Sequence, residues 1–298
     1  MFNYLLYRIG QFIALCLPIK IAYAIAVFSS DIHSFFADKD RAAVKANLKI
    51  IFPEKTSRQI RRIRLGMARN FAKYLVDFFR FSKLNLEFIK KNIRIENLNY
   101  VDDSLRKKKG VILLTAHLGN WELGGVVISL LGYPLWAVAL PHKDKRVNDF
   151  FNHQRESKGL RVIQLGRAVR QCMRILKDKQ IIALVGDRDF NEKGAVLDFF
   201  GKPAFFPEGP AAFALNTGAP IIPGYMVRNP DNSFTLRFEK PLEFAAGGDK
   251  KEDIKRMISD YKTIIEGWIR RYPEQWYMFR KFWLEPGKNE DLRNYTHL

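Results

Sequence analysis

Only two cysteines occur in 298 residues, Cys16 and Cys172, far apart and in apolar or helical surroundings. That excludes a disulfide framework and leaves no cysteine set spaced for zinc. The compartment reads as reducing, with both thiols as small core residues. No G-x-S-x-G elbow is present, so a covalent acyl-enzyme has no obvious nucleophile. The apolar N-terminal stretch is interrupted by Arg8, Pro18 and Lys20, and its uncharged runs fall short of the roughly 20 apolar residues a spanning helix needs. It also lacks the compact basic start, short apolar run and small-residue site of a cleavable signal, and so reads as retained. Internal repeats, low-complexity tracts and long linkers are missing. Acidic residues are outnumbered, 31 against 50 Lys plus Arg for a formal charge of +19, so the chain is drawn to something anionic.

What is abundant narrows that partner. Aromatics make up 13% of the residues, 24 of them Phe, and several lie beside basic residues, as in "FFRF" and "WYMFRKFW". This mixture suits an anionic lipid headgroup boundary better than a phosphate track. Charge is dispersed along the chain and no nucleic-acid-binding module is visible, so no nucleic-acid partner is expected. Residues 1–36 predict a helical segment that lies in or dips into one leaflet of a membrane, bent at Pro18; an ordinary buried helical pair is the alternative. Residues 37–92 predict basic amphipathic helices split at Pro53, the second capped by Thr56 or Ser57. Its apolar set, Ile60, Ile63, Met67, Phe71, Tyr74, Leu75 and Phe78, recurs at steps of three and four.

From residue 93 to 284 short apolar runs alternate with amphipathic stretches, the pattern of a mixed α/β sheet. Strands are predicted at 93–95, 111–114, 135–139, 162–164, 181–185, 221–227 and 234–238. Helices are predicted near 98–107, 121–131, 144–157, 167–178, 208–217 and 250–271, and 285–298 is a polar tail.

The stretch "GVILLTAHLGNWELGG", Gly110 to Gly125, carries the chemistry. An uninterrupted apolar strand ends, and His117, Gly119, Asn120 and Glu122 follow at once, on the sheet edge where open α/β folds bind ligands. Five positions apart on a helix, His117 and Glu122 would differ by about 140° in azimuth. They meet only if His117 precedes the helix and the chain bends at Gly119 and Asn120. A carboxylate on one imidazole nitrogen then fixes the tautomer and primes the other as a general base. The simplest chemistry is direct transfer, with His117 taking a proton from a hydroxyl that attacks an activated acyl carbonyl.

"AHLGNWE" resembles the H-x-x-x-x-D/E motif of the glycerolipid and lysophospholipid acyltransferase superfamily, and "GNWE" resembles more closely its lipid A biosynthesis branch. The resemblance continues through "FNHQRESKGLRVI", "LVGDRDFNEKGAVLDFFGKPAFFPEGPAAFALNTGAPIIP" and "YPEQWYMFRKFW". It implies an α/β fold with a mixed, mainly parallel central sheet flanked by helices and an N-terminal membrane-associated helical region. It implies acyl transfer from an acyl-carrier protein or coenzyme A thioester, as co-substrate and with no cofactor or metal, to a hydroxyl of a lipid A precursor. A lysophospholipid, phosphoinositol mannoside or aminolipid is the alternative acceptor. The implied partners are anionic membrane lipid and acyl-carrier protein, and the implied location is the cytoplasmic face of a bacterial inner membrane. His117 and Glu122 become the catalytic pair, and Asn120, Arg155, Asp187, Arg188, Asp189 and Glu208 candidate substrate contacts. Arg188 departs from the Gln common in this branch, and Pro210 replaces a hydroxyl residue found in many glycerolipid members. "RYPEQWYMFRKFW" reads as a Trp-rich terminal anchor that packs on the body or sits near headgroups.

Overall fold

The computed structural model describes residues 2–165, 168–189, 192–244 and 247–284. Proline divides the apolar N-terminus as expected. Helix α1 (Phe2–Cys16) stops before Pro18, and α2 (Ile19–Phe36) begins after it. Then come α3 (Asp38–Ile51) and α4 (Ser57–Phe79). Thr56 caps α4 by a reciprocal box with Gln59, which satisfies two backbone donors that the first turn leaves open. Ile60, Ile63, Met67, Tyr74 and Phe78 are its buried stripe.

The body is a seven-stranded sheet. It is built from β1 (Ile93–Glu96), β2 (Val111–Thr115), β3 (Leu135–Ala139), β4 (Arg161–Gln164), β5 (Ile181–Val185), β8 (Ile221–Arg228) and β9 (Phe234–Phe238). A separate antiparallel hairpin, β6 (Ala195–Phe199) with β7 (Lys202–Phe206), stands beside it. The sheet order is β1-β9-β8-β2-β5-β3-β4. From β8 to β4 every pair is parallel; β9 runs antiparallel to β8 and β1 parallel to β9. This is the mixed, mainly parallel sheet that the alternation of runs predicts. The intervening helices are α5 (Leu86–Asn92), α6 (Asn99–Arg106), α7 (Trp121–Leu130), α8 (Lys145–Glu156), α9 (Ala168–Lys177), α10 (Gly209–Thr217) and α11 (Lys250–Arg271). The predicted polar tail, 285–298, lies outside the described residues.

Both faces of the sheet are covered, which is why β2 is apolar from Val111 to Leu114 rather than alternating. Ile112 and Leu114 join one core with Ile258, Tyr261 and Trp276. Val111 and Leu113 join the other with Val126, Val127 and Phe78. At their C-terminal ends β2 and β5 run level, Thr115 opposite Val185. Residues two beyond each end are therefore neighbours, and those residues are His117 and Asp187.

Candidate active site

The loop from Ala116 to Asn120 is held on three sides before any side chain is considered. The His117 carbonyl accepts from the Tyr277 N–H at 2.8 Å, the Gly119 N–H donates to the Gln275 carbonyl at 2.8 Å, and the Asn120 N–H donates to the Met226 carbonyl at 2.7 Å. Leu118 and Trp276 form an antiparallel bridge. Gly119 is required by this close fit. Its φ is +67°, and a Cβ there would lie 2.0 Å from the Met226 carbonyl oxygen, a separation no side chain tolerates.

So fixed, the His117 ring meets a carboxylate, but not the one the local motif predicts. Nδ1 lies 2.8 Å from Asp187 Oδ1, and the His117 backbone N–H donates to both Asp187 oxygens at 3.1 Å. The Trp276 indole N–H donates to the same carboxylate at 3.0 Å. Asp187 is fully buried while the His117 side chain keeps 16% of its surface. Burial alone would raise the Asp187 carboxyl, but the His117 ring, Arg188 and the hydrogen bonds outweigh it and hold it below its ordinary value. Asp187 therefore stays ionised at neutral pH. Its contribution to stability is complete above the unfolded carboxylate value of about 3.9 and is lost as pH falls through the lower folded value.

Glu122 takes a different partner. The second residue of α7, it is gripped by Arg155 of α8, Nε to Oε2 at 2.8 Å and Nη2 to Oε1 at 2.5 Å. Arg155 is buried, with its guanidinium over the Phe78 and Phe151 rings and its third nitrogen donating to Asn152 at 3.1 Å. The His117–Glu122 bond expected from sequence is thus replaced by two pairs, His117–Asp187 and Glu122–Arg155. The physical reason is strand order, which sets Asp187 beside His117, while the first turn of α7 carries Glu122 toward α8. Trp121 stands between them, edge-on to His117 at 5.2 Å and stacked on Tyr74 at 4.8 Å.

The remaining candidates sort by what they touch. Asn120, expected at the substrate, is buried at the start of α7, where its carbonyl accepts from the Leu123 N–H and its amide donates to Asp77. Arg188 is half buried, follows Asp187 and donates to the Met278 sulfur at 3.1 Å; burial lowers its pKa despite the neighbouring carboxylate. Asp189 accepts from the Lys193 and Gly194 N–H groups at 2.9 and 2.6 Å. Glu208 is exposed, at the N-terminus of α10, where a negative charge suits the helix dipole. The C-terminal "YPEQWYMFRKFW" is built into the body, with Trp276, Tyr277, Met278 and Trp283 all buried. The role of Trp276 in holding Asp187 had no signal in the sequence beyond the tryptophan itself.

Because Glu122 and Arg155 are each about one-tenth exposed, removing either leaves the other charge buried and uncompensated. Arg155→Ala is expected to lose roughly 3–5 kcal/mol of stability. Denaturant unfolding measures this, and the paired change Arg155→Met with Glu122→Leu should recover most of it, because no lone charge then remains.

The bacterial lipid A biosynthesis acyltransferase family matches residues 1–285. A phosphatidylinositol mannoside acyltransferase of Mycolicibacterium smegmatis is 26% identical over 226 residues, covering 74% of this chain and 72% of that protein. A lipid A biosynthesis acyltransferase of Haemophilus influenzae is 20% identical over 258 residues, covering 86% and 79%. A lipid A biosynthesis palmitoleoyltransferase of Escherichia coli is 24% identical over 262 residues, covering 84% and 81%.

Proposed function

The chain belongs to the bacterial lipid A biosynthesis acyltransferase family, and from that premise we propose that it moves a fatty acyl chain from a thioester to a hydroxyl of a membrane glycolipid, with His117 as general base. The acyl donor in this reading is acyl-carrier protein or coenzyme A thioester. The observation that carries it is the Asp187–His117 contact at the C-terminal edge of the sheet. An ionised carboxylate on Nδ1 keeps the proton there, so Nε2 carries the lone pair that accepts a proton.

The acceptor oxygen attacks the thioester carbonyl as its proton passes to Nε2. The tetrahedral oxyanion forms near the start of α7, where the positive end of the helix dipole favours it. Collapse expels the thiolate, which takes the proton back from the imidazolium, so no group is consumed. Glu122 and Arg155 act by fixing the first turn of α7 against α8. A lipid A precursor is the acceptor favoured by family. A phosphatidylinositol mannoside is the second reading, favoured by the 26% identity to the mycolicibacterial enzyme; both present a sugar hydroxyl on a lipid-anchored glycan. Lipid mass spectrometry of a bacterium without its own secondary acyltransferases, before and after expression of this chain, tests this. A glycolipid gaining the mass of one acyl chain is expected; an unchanged lipid profile with folded protein present overturns it.

Membrane attachment is assigned to α1 and α2. Phe12, Phe28, Phe35 and Phe36 are each between 66% and 75% exposed, an apolar surface a water-soluble protein rarely displays. Among the described residues α2 alone has the length and apolarity to cross a bilayer. It is docked along α4, however, by the buried Tyr23 hydroxyl donating to Asp77 and by a bidentate Arg69–Asp31 pair at 2.8 Å. This docking supports reading α2 as lying in the interface rather than crossing it. Changing Phe12, Phe28 and Phe35 together to Glu should release the protein from vesicles of mixed neutral and anionic lipid with its unfolding midpoint unmoved, because exposed side chains contribute little to the fold. Continued sedimentation with the vesicles would assign attachment elsewhere.

A further inference from the structure

A cavity of about 630 Å³ lies among α1, α2, α3 and α4, bounded by Gly10, Ile13, Ile25, Val44, Ala68 and Ala72. That is within the roughly 300–1,000 Å³ of sites that enclose small ligands. His117, Glu122, Arg155 and Asp187 are not part of its wall. Phe71 and Phe279 line the cavity and pack in the same aromatic cluster as Tyr74.

The wall is not uniformly apolar. His33, Asp40, Arg41 and Arg64 contribute to it. Arg41 is employed, pairing with Asp38 and donating to the Phe35 carbonyl. Arg64 is different: half buried on α4, it has no hydrogen-bond or ion-pair partner among the described residues. Burial, together with the neighbouring Arg41 and Arg61 guanidiniums, pushes its pKa below the ordinary range. A partly desolvated guanidinium crowded by like charge is costly, and an anion with planar or tetrahedral oxygens is what its fork of donors fits.

We propose that the α1–α4 cavity binds one anionic membrane lipid, its hydrocarbon chain among the small residues of α4 and its phosphate at Arg64. The lipid source follows from continuity, since the helices that enclose the cavity are the ones whose outer faces expose Phe12, Phe28 and Phe35. The site is separate from the reaction centre. It rests on the membrane reading only for where the lipid comes from.

The test is native mass spectrometry of the full chain in neutral detergent, titrated with lysophosphatidylglycerol, with the monoacylglycerol of the same acyl chain, and with inorganic phosphate. One lysophosphatidylglycerol per chain is expected, retained at least tenfold more strongly than the monoacylglycerol and not displaced by equimolar phosphate. Arg64→Gln should weaken lysophosphatidylglycerol at least tenfold without changing the monoacylglycerol, and Arg64→Lys should restore part of the loss. Ala72→Leu, or Ala68→Leu if that variant does not fold, should remove both by filling the cavity. Equal retention of the charged and uncharged lipids, displacement by phosphate alone, or unchanged retention in Arg64→Gln and the folded leucine variant would each overturn the proposal. Because acyl transfer is not the readout, failure here leaves the catalytic reading intact, and an inactive enzyme that still holds the lipid leaves this one intact.

Discussion

His117→Ala is expected to lower acyl transfer by roughly 10²- to 10⁴-fold, the usual contribution of a positioned general base. Its unfolding midpoint should stay close to that of the parent, because the ring is partly exposed and the loop is held by backbone bonds to Gln275, Tyr277 and Met226. The companion Asp187→Asn separates orientation from mere presence. An amide can donate to Nδ1 and so reverse the tautomer, turning Nε2 into a donor that accepts no proton. Turnover should fall by a comparable factor with little change in KM, as for a group acting only in the transition state. Near-parental turnover in His117→Ala would exclude proton abstraction at this position. A large loss there with full activity in Asp187→Asn would leave the base in place and remove Asp187 from its support.

A large effect on stability is also expected at Arg228, in the buried seam between β8 and the N-terminal helices. Arg228, 8% exposed on β8, pairs its guanidinium with Asp77 of α4 and donates to the Tyr23 hydroxyl of α2 at 3.0 Å. Asp77 accepts in addition from Tyr23 and from Asn120. Burial works against the Arg228 charge, and the carboxylate and the tyrosine more than offset it, raising its pKa above the ordinary range. Arg228→Ala strands the Asp77 carboxylate in the interior at a cost of roughly 3–5 kcal/mol. Denaturant unfolding in detergent measures it. Asp77→Ala should cost about as much, and the two losses should be far from additive because the residues act as one unit. Additive losses would mean that the charges are solvated independently. Deleting 1–36 is a poor probe of membrane attachment for the same reason: it also removes Tyr23 from this network.

Much of the fold was legible because the parallel strands are buried on both faces, so that runs such as Ile181–Val185 are apolar at every position. All seven strands of the central sheet stand where those runs predict. The β6–β7 hairpin was not legible. Its turn puts Phe200 and Gly201 at φ of 53° and 79°, so the first left-handed position lacks the Asn or Asp that marks such turns, and Pro203 disguises β7 as a loop. In the site, the strand-end location and the bend at Gly119 could be read from local spacing. The partner of His117 could not, because it lies 70 residues away and is brought close only by the lateral order of β2 and β5. A helix-spacing argument sees neighbours along one chain segment and is blind to neighbours across a sheet.

The bridge between Leu118 and Trp276 ties the loop after β2 to the segment that follows α11. A nascent chain that has emerged through α11 already contains every strand of the sheet, yet the bonds from Gln275, Trp276 and Tyr277 are missing and Asp187 lacks its indole donor. A released chain truncated after α11 should therefore be compact but chemically silent.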